Sequence, residues 1–178
     1  MKVKNYLLPV AAILITAVML LAVSQLGASA AESGALSARN EIFEKLLPGG
    51  PYEEVALEGA DESIRRVFKS KDGGCIVEVS TKGYADDITL WVGVAPDGSV
   101  KGVKIIDINE SFGLGNRAPG DVDFLSQYLG TSGNAEVGEN ITALTGATVS
   151  SKAITRAINI SASYVTGEDA VTSASEWS

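Results

Sequence analysis

The stretch "DDITLWVGVAPDGSVKGVKIIDI", residues 86–108, contains two runs rich in β-branched residues on either side of a turn. The turn is the tripeptide PDG at 96–98, in which proline presets φ, aspartate caps locally and glycine accepts a positive φ. This pattern predicts an antiparallel hairpin. In its second strand Val100, Val103 and Ile105 lie among polar residues, so we expect one face of the sheet to be solvated or covered by a helix.

Further strands and helices are expected around this hairpin. Residues 63–69 and 75–81 are rich in β-branched residues between glycine-rich breaks and predict two more strands. Helices are predicted at 36–47, where apolar residues recur at helical spacing before Pro48, and at 121–129 and 150–165. The predicted fold class is therefore α+β, a small and mostly antiparallel sheet flanked by helices.

The N-terminal segment predicts an attachment to a membrane. Residues 5–31 contain no charged side chain, and at roughly 1.5 Å per residue such a helix crosses a hydrocarbon core about 30 Å thick. The small residues at 28–30 also fit a signal-peptidase site, but the apolar run is longer than a usual signal peptide, which favours a retained single-pass anchor. Lys2 and Lys4 precede the span, so we expect a cytoplasmic N-terminus and an extracytoplasmic domain at the cell membrane.

The composition restricts the chemistry that the side chains can perform. The chain has no histidine, and Cys75 is its single cysteine. A Ser-His-Asp relay and imidazole ligation are excluded, and one cysteine cannot hold an iron–sulfur cluster or a structural zinc. A formal net charge of −8 argues against a nucleic-acid partner. We predict no catalytic side chain, no metal site and a buried Cys75, so any redox chemistry is expected to come from a cofactor.

A cluster of hydroxyl groups precedes the last predicted helix. The stretch "NITALTGATVSSKAI", residues 140–154, contains Thr142, Thr145, Thr148, Ser150 and Ser151. One interpretation is helix capping, in which Thr145, Thr148 or Ser150 accepts a hydrogen bond from a first-turn amide. The other is a phosphate held at the helix N-terminus, with Gly146 and Ala147 allowing its close approach. A threonine hydroxyl there could contact the phosphate or be esterified by it, and spacing alone does not choose.

Several segments resemble one protein family. "TALTGATVSS" at 142–151 resembles the flavinylation signature Dxx(S/T)GAT of the FMN-binding domain family, found in the RnfG and NqrC subunits of bacterial sodium- or proton-translocating membrane oxidoreductases. "ARNEIFEKLLPGG" at 38–50 is similar to the helix after the membrane segment in RnfG-type proteins, and the hairpin is similar to their central hairpin. "NESFGLGNRA" at 109–118 resembles the segment usually written ETPGLG. Two departures are Thr142 for the acidic residue and Glu110-Ser111-Phe112 for Glu-Thr-Pro.

The resemblance implies a cofactor site. In the family the last threonine of the signature carries FMN through a phosphoester bond, and the matching residue here is Thr148. The residues that it implies around the phosphoryl group are Thr145, Gly146, Ala147 and Ser150. The residues that it implies against the isoalloxazine ring are Glu110, Gly113, Leu114 and Gly115. With the residue-based predictions above, the predicted domain order is a membrane anchor at 1–31, an amphipathic helix and linker at 32–50, the FMN-binding domain at 51–165 and a flexible tail at 166–178.

The function that the resemblance implies is electron relay through covalent FMN in a membrane-bound, ion-translocating oxidoreductase of the Rnf type, which couples ferredoxin and NAD. Its implied partners are the other membrane subunits of the complex, and FAD:protein FMN transferase as the modifying enzyme. The alternatives are an NqrC-like subunit of a sodium-translocating NADH:quinone oxidoreductase and a stand-alone flavinylated extracellular electron shuttle. A non-redox alternative is a membrane-tethered binding module in which "TGAT" is only a helix cap.

Overall fold

The protein contains a five-stranded antiparallel sheet. In the computed structural model, which describes residues 33–57, 60–110 and 115–167, each strand pairs with the next one along the chain, so the sheet is a meander. The strands are β1 Tyr52–Val55, β2 Ile64–Ser70, β3 Cys75–Lys82, β4 Asp87–Val94 and β5 Val100–Ile108. The predicted antiparallel sheet is confirmed, and β1 is a strand that the sequence analysis did not predict.

The β4–β5 hairpin closes with the turn that its sequence predicts. Gly98 N–H donates to the Ala95 carbonyl oxygen at 2.9 Å, and Ala95 N–H donates to the Ser99 carbonyl oxygen at 2.9 Å. Gly98 has φ of +81°, a left-handed conformation that other residues rarely adopt. The result is a three-residue loop in which a turn is followed by a left-handed glycine, and the Asp97 side chain accepts from Ser99 N–H at 3.0 Å.

The helices depart from the prediction mainly at their ends. They are α1 at 33–46, the 3-10 helix η1 Gly115–Gly120, α2 Val122–Ser126 and α3 Thr148–Thr166. α2 is shorter than the predicted 121–129 because Gln127, Tyr128 and Leu129 donate to carbonyls three residues back, which is 3-10 rather than α geometry. α3 begins two residues earlier than predicted, at Thr148, and η1 was not predicted.

The two faces of the sheet carry separate apolar clusters. α3 covers one face, where Ile154, Ala157 and Ile158 are buried with the inward side chains of the strands. The other face receives the end of α1, where Phe43, Leu46 and Leu47 are buried with Phe68 and Ile76. The pattern of the hairpin suggested that a helix could cover one face of the sheet, and α3 is that helix.

Glycines on the second face allow the end of α1 to lie against the sheet. A Cβ atom at Gly93 would lie 2.4 Å from the Leu46 carbonyl oxygen, and one at Gly102 would lie 2.8 Å from Leu46 Cα. Real Cβ atoms do not approach so closely, because atoms in a packed interior are already in contact. These two strand positions therefore require glycine as long as Leu46 keeps its place.

The chain divides into two compact units between Glu41 and Ile42. The second unit contains the whole sheet, η1, α2 and α3, whereas of the first unit the structure describes only residues 33–41. The predicted anchor at 1–31 lies outside the described residues, as do residues 168–178 of the tail predicted at 166–178. Thr166 and Gly167, predicted to begin that tail, are instead the last residue and the C-cap of α3. Every helix in the described ranges is too short or too polar to cross a membrane, and the anchor stays a prediction.

Phe43 offers a test of the second apolar cluster. It is fully buried, and its ring centroid lies 4.9 to 5.4 Å from those of Phe68, Trp91 and Tyr52. We expect Phe43→Ala to lower the free energy of unfolding by about 3–5 kcal/mol, because the cavity loses both transfer energy and ring contacts. Urea unfolding followed by tryptophan fluorescence measures the loss. Val122→Ala, at a side chain 75% exposed, is the control and should change stability by less than about 0.5 kcal/mol; equal losses in both would contradict the packing role.

Candidate functional site

A tight turn leads into α3. Ala147 N–H donates to the Leu144 carbonyl oxygen at 2.9 Å, and Gly146 has φ of +76°. Thr145, the second residue of this hydrogen-bonded turn, has a negative φ, and Gly146, the third, has a positive φ. This combination is typical of a type II turn, in which glycine is favoured at the third position. Ala147 is buried in the α3 cluster, so Thr148 follows at the surface as the first helical residue.

The hydroxyl groups do not cap α3, and the capping interpretation is wrong. The N-cap residue is Ala147, which offers no side-chain hydrogen bond. The Ser151 hydroxyl faces the preceding turn instead, accepting from Leu144 N–H at 3.0 Å and donating to the Ala147 carbonyl oxygen at 2.9 Å. The physical reason is the left-handed Gly146, which turns the chain so that an alanine, not a threonine, occupies the cap position.

The first turn of α3 keeps its amide groups available. Ser151 N–H donates the first intrahelical bond, to Ala147, so the amides of Thr148, Val149 and Ser150 have no acceptor among the described residues, as expected for a helix start without a side-chain cap. The Thr148 side chain is exposed and makes no hydrogen bond to another described residue. Three free amides and the positive end of the helix dipole favour an anion beside an accessible hydroxyl.

A pocket of about 430 Å³ opens at this helix start. Six of the nine predicted site residues line it, namely Glu110, Gly115, Gly146, Ala147, Thr148 and Ser150. Thr145 lies beside it rather than in its lining, and its carbonyl oxygen accepts from Arg117 Nη2 at 3.1 Å. Gly113 and Leu114 lie outside the described residues. The structure therefore brings residues from two distant predicted segments, 110–115 and 146–150, to one place.

Glu110 is the one buried carboxylate in the pocket wall. Glu110 follows β5 in the chain and is only 5% exposed. Its Oε2 accepts from the Ser150 hydroxyl at 2.7 Å, and its Oε1 accepts from Ala85 N–H at 3.2 Å. Its own backbone N–H donates to Asn116 Oδ1 at 2.9 Å. Each oxygen of the carboxyl group thus accepts one hydrogen bond, as expected for a buried polar group.

Two residues that line the pocket were missed from the sequence. Tyr84 lies in the β3–β4 turn and is 68% exposed, and Val149 is the second residue of α3. An exposed aromatic ring at the rim of a pocket is the residue type that contacts planar ligands. The available signal was an aromatic residue inside the polar turn "GYADD", where no core is present to bury it.

The start of the motif is held by a side chain from the end of α2. Gln127 Oε1 accepts from Thr142 N–H at 2.7 Å, and Gln127 Nε2 donates to the Thr142 carbonyl oxygen at 3.3 Å. Both bonds use the backbone of Thr142, and its side chain is exposed. Neither bond uses the side chain at 142, so threonine in place of the acidic residue can make both.

The single cysteine, Cys75, is not among the residues that line the pocket. Cys75 begins β3, is buried and forms no disulfide. Burial raises the pKa of the Cys75 thiol above its usual value, while Lys69 opposes that shift. Because the reactive species is the thiolate, this residue is a packing side chain, as its sequence context predicts.

Comparison with known proteins identifies the family. Residues 83–163, from the β3–β4 turn to near the end of α3, match the FMN-binding domain family. The G subunit of the Na⁺-translocating ferredoxin:NAD⁺ oxidoreductase complex of Acetobacterium woodii is 33% identical over 147 residues, which cover 70% of this chain and 70% of that protein. The chain therefore belongs to the FMN-binding domain family, which confirms the resemblance seen in its motifs.

A second relative and one solved structure are also similar to this chain. The G subunit of the proton-translocating ferredoxin:NAD⁺ oxidoreductase complex of Clostridium ljungdahlii is 37% identical over 98 residues, which cover 51% of this chain and 52% of that protein. The crystal structure of Shewanella oneidensis NqrC superposes with a TM-score of 0.44 and 23% identity, over 58% of this chain and 61% of that one.

Gly146 allows a test of the turn that presents Thr148. We expect Gly146→Ala to lower the free energy of unfolding by about 1–2 kcal/mol, because a Cβ atom is disfavoured at a positive φ. Gly120→Ala is the matched control, since a Cβ atom there meets nothing within 4 Å and its φ is not positive. Chemical denaturation of both variants measures the difference, and a Gly146→Ala variant as stable as the control would contradict the turn.

Proposed function

We propose that this chain carries FMN covalently on Thr148 and relays electrons as a subunit of a membrane-bound, ion-translocating oxidoreductase of the ferredoxin:NAD type. The observation that carries the proposal is the position of the Thr148 hydroxyl. It is exposed, it is the first residue of α3, and it lines a pocket together with Gly146 and Ala147 of the family signature.

The helix start fits a phosphoester. A phosphoryl group attached to the Thr148 hydroxyl would lie next to the free amides of Val149 and Ser150, which are donors that bind phosphate oxygens at helix N-termini. Gly146 has no side chain, and the Ala147 side chain is buried, so neither obstructs the approach of a large ligand to the backbone. The donor set is therefore that of a phosphate site.

The pocket fits the rest of the cofactor. Its volume of about 430 Å³ lies within the range of about 300–1,000 Å³ usual for sites of small molecules and cofactors. Tyr84 and Val149 are among its lining residues and provide apolar surface, and Glu110 provides an acidic side chain. When bound, FMN supplies the reversible uptake of electrons, and the chain positions it and sets its electrostatic surroundings.

The relatives support a place in a complex. Two proteins similar to this chain are named as the G subunits of ferredoxin:NAD⁺ oxidoreductase complexes, so the other membrane subunits of such a complex are the proposed partners. FAD:protein FMN transferase is the proposed modifying enzyme. The apolar segment at 1–31 is the proposed anchor, which would hold the domain at the outer side of the cell membrane and near its redox partners.

Replacing the modified residue tests the attachment site. After co-expression of the chain with a flavin transferase, intact-mass measurement should show one added FMN moiety on the wild-type protein. We expect Thr148→Ala to lose the adduct completely, because the esterified oxygen is removed. Thr148→Ser keeps a hydroxyl and should retain at least partial modification.

Thr145→Ala is the matched control for this experiment. Thr145 is also an exposed threonine of the motif, and its bond to Arg117 uses the backbone carbonyl oxygen, which alanine retains. The adduct should therefore persist. An adduct that survives Thr148→Ala and disappears in Thr145→Ala would move the site to Thr145, and a wild-type chain without flavin absorbance would favour a non-redox binding module.

Protease accessibility tests the proposed topology. With Lys2 and Lys4 on the cytoplasmic side, the residues after about 32 should be exposed outside the membrane. Protease added to cells with a permeabilised outer layer should therefore remove the domain, while a cytoplasmic marker protein stays intact. A domain that is degraded only after the cell membrane is disrupted would contradict this orientation.

A further inference from the structure

The pocket has two sides that come from distant parts of the chain. The β3–β4 turn contributes Tyr84, and the first turn of α3 contributes Thr148. One side chain bonds to both sides, since the Glu110 carboxylate accepts from Ala85 N–H in the turn and from the Ser150 hydroxyl in the helix. We call this arrangement, formed by Ala85, Glu110 and Ser150, the carboxylate bridge.

We propose that Glu110 is a positioning residue of the FMN site, whose carboxylate bridge holds the Tyr84 turn and the Thr148 helix start at a fixed separation. The inference rests on the proposed function. Glu110 thereby acts indirectly, through Ala85 and Ser150. It sets the position of the Thr148 hydroxyl when that hydroxyl is esterified, and the position of the flavin afterwards. Any direct electrostatic effect of its charge on the ring is separate from this role.

Two glycines, Gly83 and Gly115, lie close against the carboxylate bridge. A Cβ atom at Gly83 would lie 2.1 Å from Glu110 Oε1, and one at Gly115 would lie 2.7 Å from both Glu110 Cβ and Ser150 Oγ. Both distances are shorter than real Cβ contacts, so a side chain at either position would displace the bridge. The carboxylate is therefore confined on two sides by backbone, which fixes its orientation more firmly than the two hydrogen bonds alone would.

The base of the bridge is also fixed. Asn116 accepts from the Glu110 backbone N–H at 2.9 Å, which ties the end of β5 to η1. Glu110 and Ser150 are nearly inaccessible, at 5% and 2% exposed, and the bond between them is buried. Ala85 is exposed, and its bond to Glu110 is partly buried. Hydrogen bonds to a carboxylate are shorter and stronger than those between neutral groups, and the buried 2.7 Å bond between Ser150 and Glu110 is the stronger half of the bridge.

A second link between the sheet and α3 provides a matched control. The Thr81 hydroxyl donates to the Ala153 carbonyl oxygen at 2.9 Å, one turn further along α3. Like the bond between Glu110 and Ser150, it is a buried hydrogen bond to α3, but Thr81 does not line the pocket. Thr81→Val keeps the shape of the side chain and removes only the hydroxyl, so its effect reports general loosening of α3.

The first experiment tests the bridge without flavin. Residue-resolved hydrogen exchange of the full unmodified chain should show several-fold faster exchange of the Ala85 amide in Ser150→Ala, although Ala85 and Ser150 make no direct hydrogen bond and are linked only through Glu110. Thr81→Val should leave the Ala85 amide near its wild-type rate. The bridge is contradicted if Ala85 exchanges equally fast in the wild-type chain and in Ser150→Ala, or if Thr81→Val accelerates it as much as Ser150→Ala does.

The second experiment separates the position of Glu110 from its charge. Glu110→Ala should slow FMN attachment by flavin transferase by on the order of 10²-fold, because a displaced acceptor hydroxyl is a misaligned reactant. Glu110→Gln retains an oxygen for Ala85 N–H and an amide for the Ser150 hydroxyl, so it should recover most of the rate, while its flavin is expected to have a raised reduction potential because a negative charge is lost.

The outcomes distinguish this inference from the proposed function. If the wild-type chain accepts FMN on Thr148 and Glu110→Ala accepts it equally fast, the positioning role is wrong and the attachment site stands. If Glu110→Gln is as slow as Glu110→Ala, the charge and not the position is required, which also overturns the inference. A wild-type chain that accepts no FMN overturns the proposed function, and the exchange of Ala85 then still decides whether the bridge exists.

Discussion

Burial of α3 against the sheet is the interaction on which the rest of the domain depends. Its inward side chains alternate alanine with isoleucine, at Ala153, Ile154, Ala157 and Ile158, and all are buried. Small residues at every turn let the helix axis lie close to the strands, and the isoleucines fill the space between them. This packing fixes the first turn of α3 at the edge of the sheet where β3 and β5 end, and the pocket exists only because that turn lies there.

A chain without histidine and with an inert cysteine has few reactive groups of its own, and the site reflects this. The features that we assign to cofactor binding are backbone amides, one hydroxyl, one aromatic ring and two glycines that bring segments together. Such groups bind and orient; they do not transfer electrons. The site is therefore suited to a protein that holds a redox group, which agrees with the family to which the chain belongs.

The parts of the fold and the site that the sequence predicts are those specified by local chemistry, namely the β4–β5 hairpin, α3 and the contiguous motif at 146–150. β1 was missed because "YEEV" has two glutamates and becomes a strand only by pairing with β2. The capping interpretation failed because the sequence does not reveal the positive φ of Gly146. The pairing of Glu110 with Ser150 spans 40 residues, and Tyr84 reaches the pocket only through the meander, so no local pattern indicates either.

The meander also determines the order in which the site can form. Every strand pairs with its neighbour in sequence, and such short-range contacts can be made early in folding. The contacts that close the pocket are of long range, such as the link between Thr81 and Ala153, which are 72 residues apart. Loop closure of that length is slow and comes late. We therefore expect a partly folded chain to expose the threonine motif before the surrounding walls are in place. If Thr148 is modified as proposed, a transferase that requires those walls would modify only chains whose folding is complete.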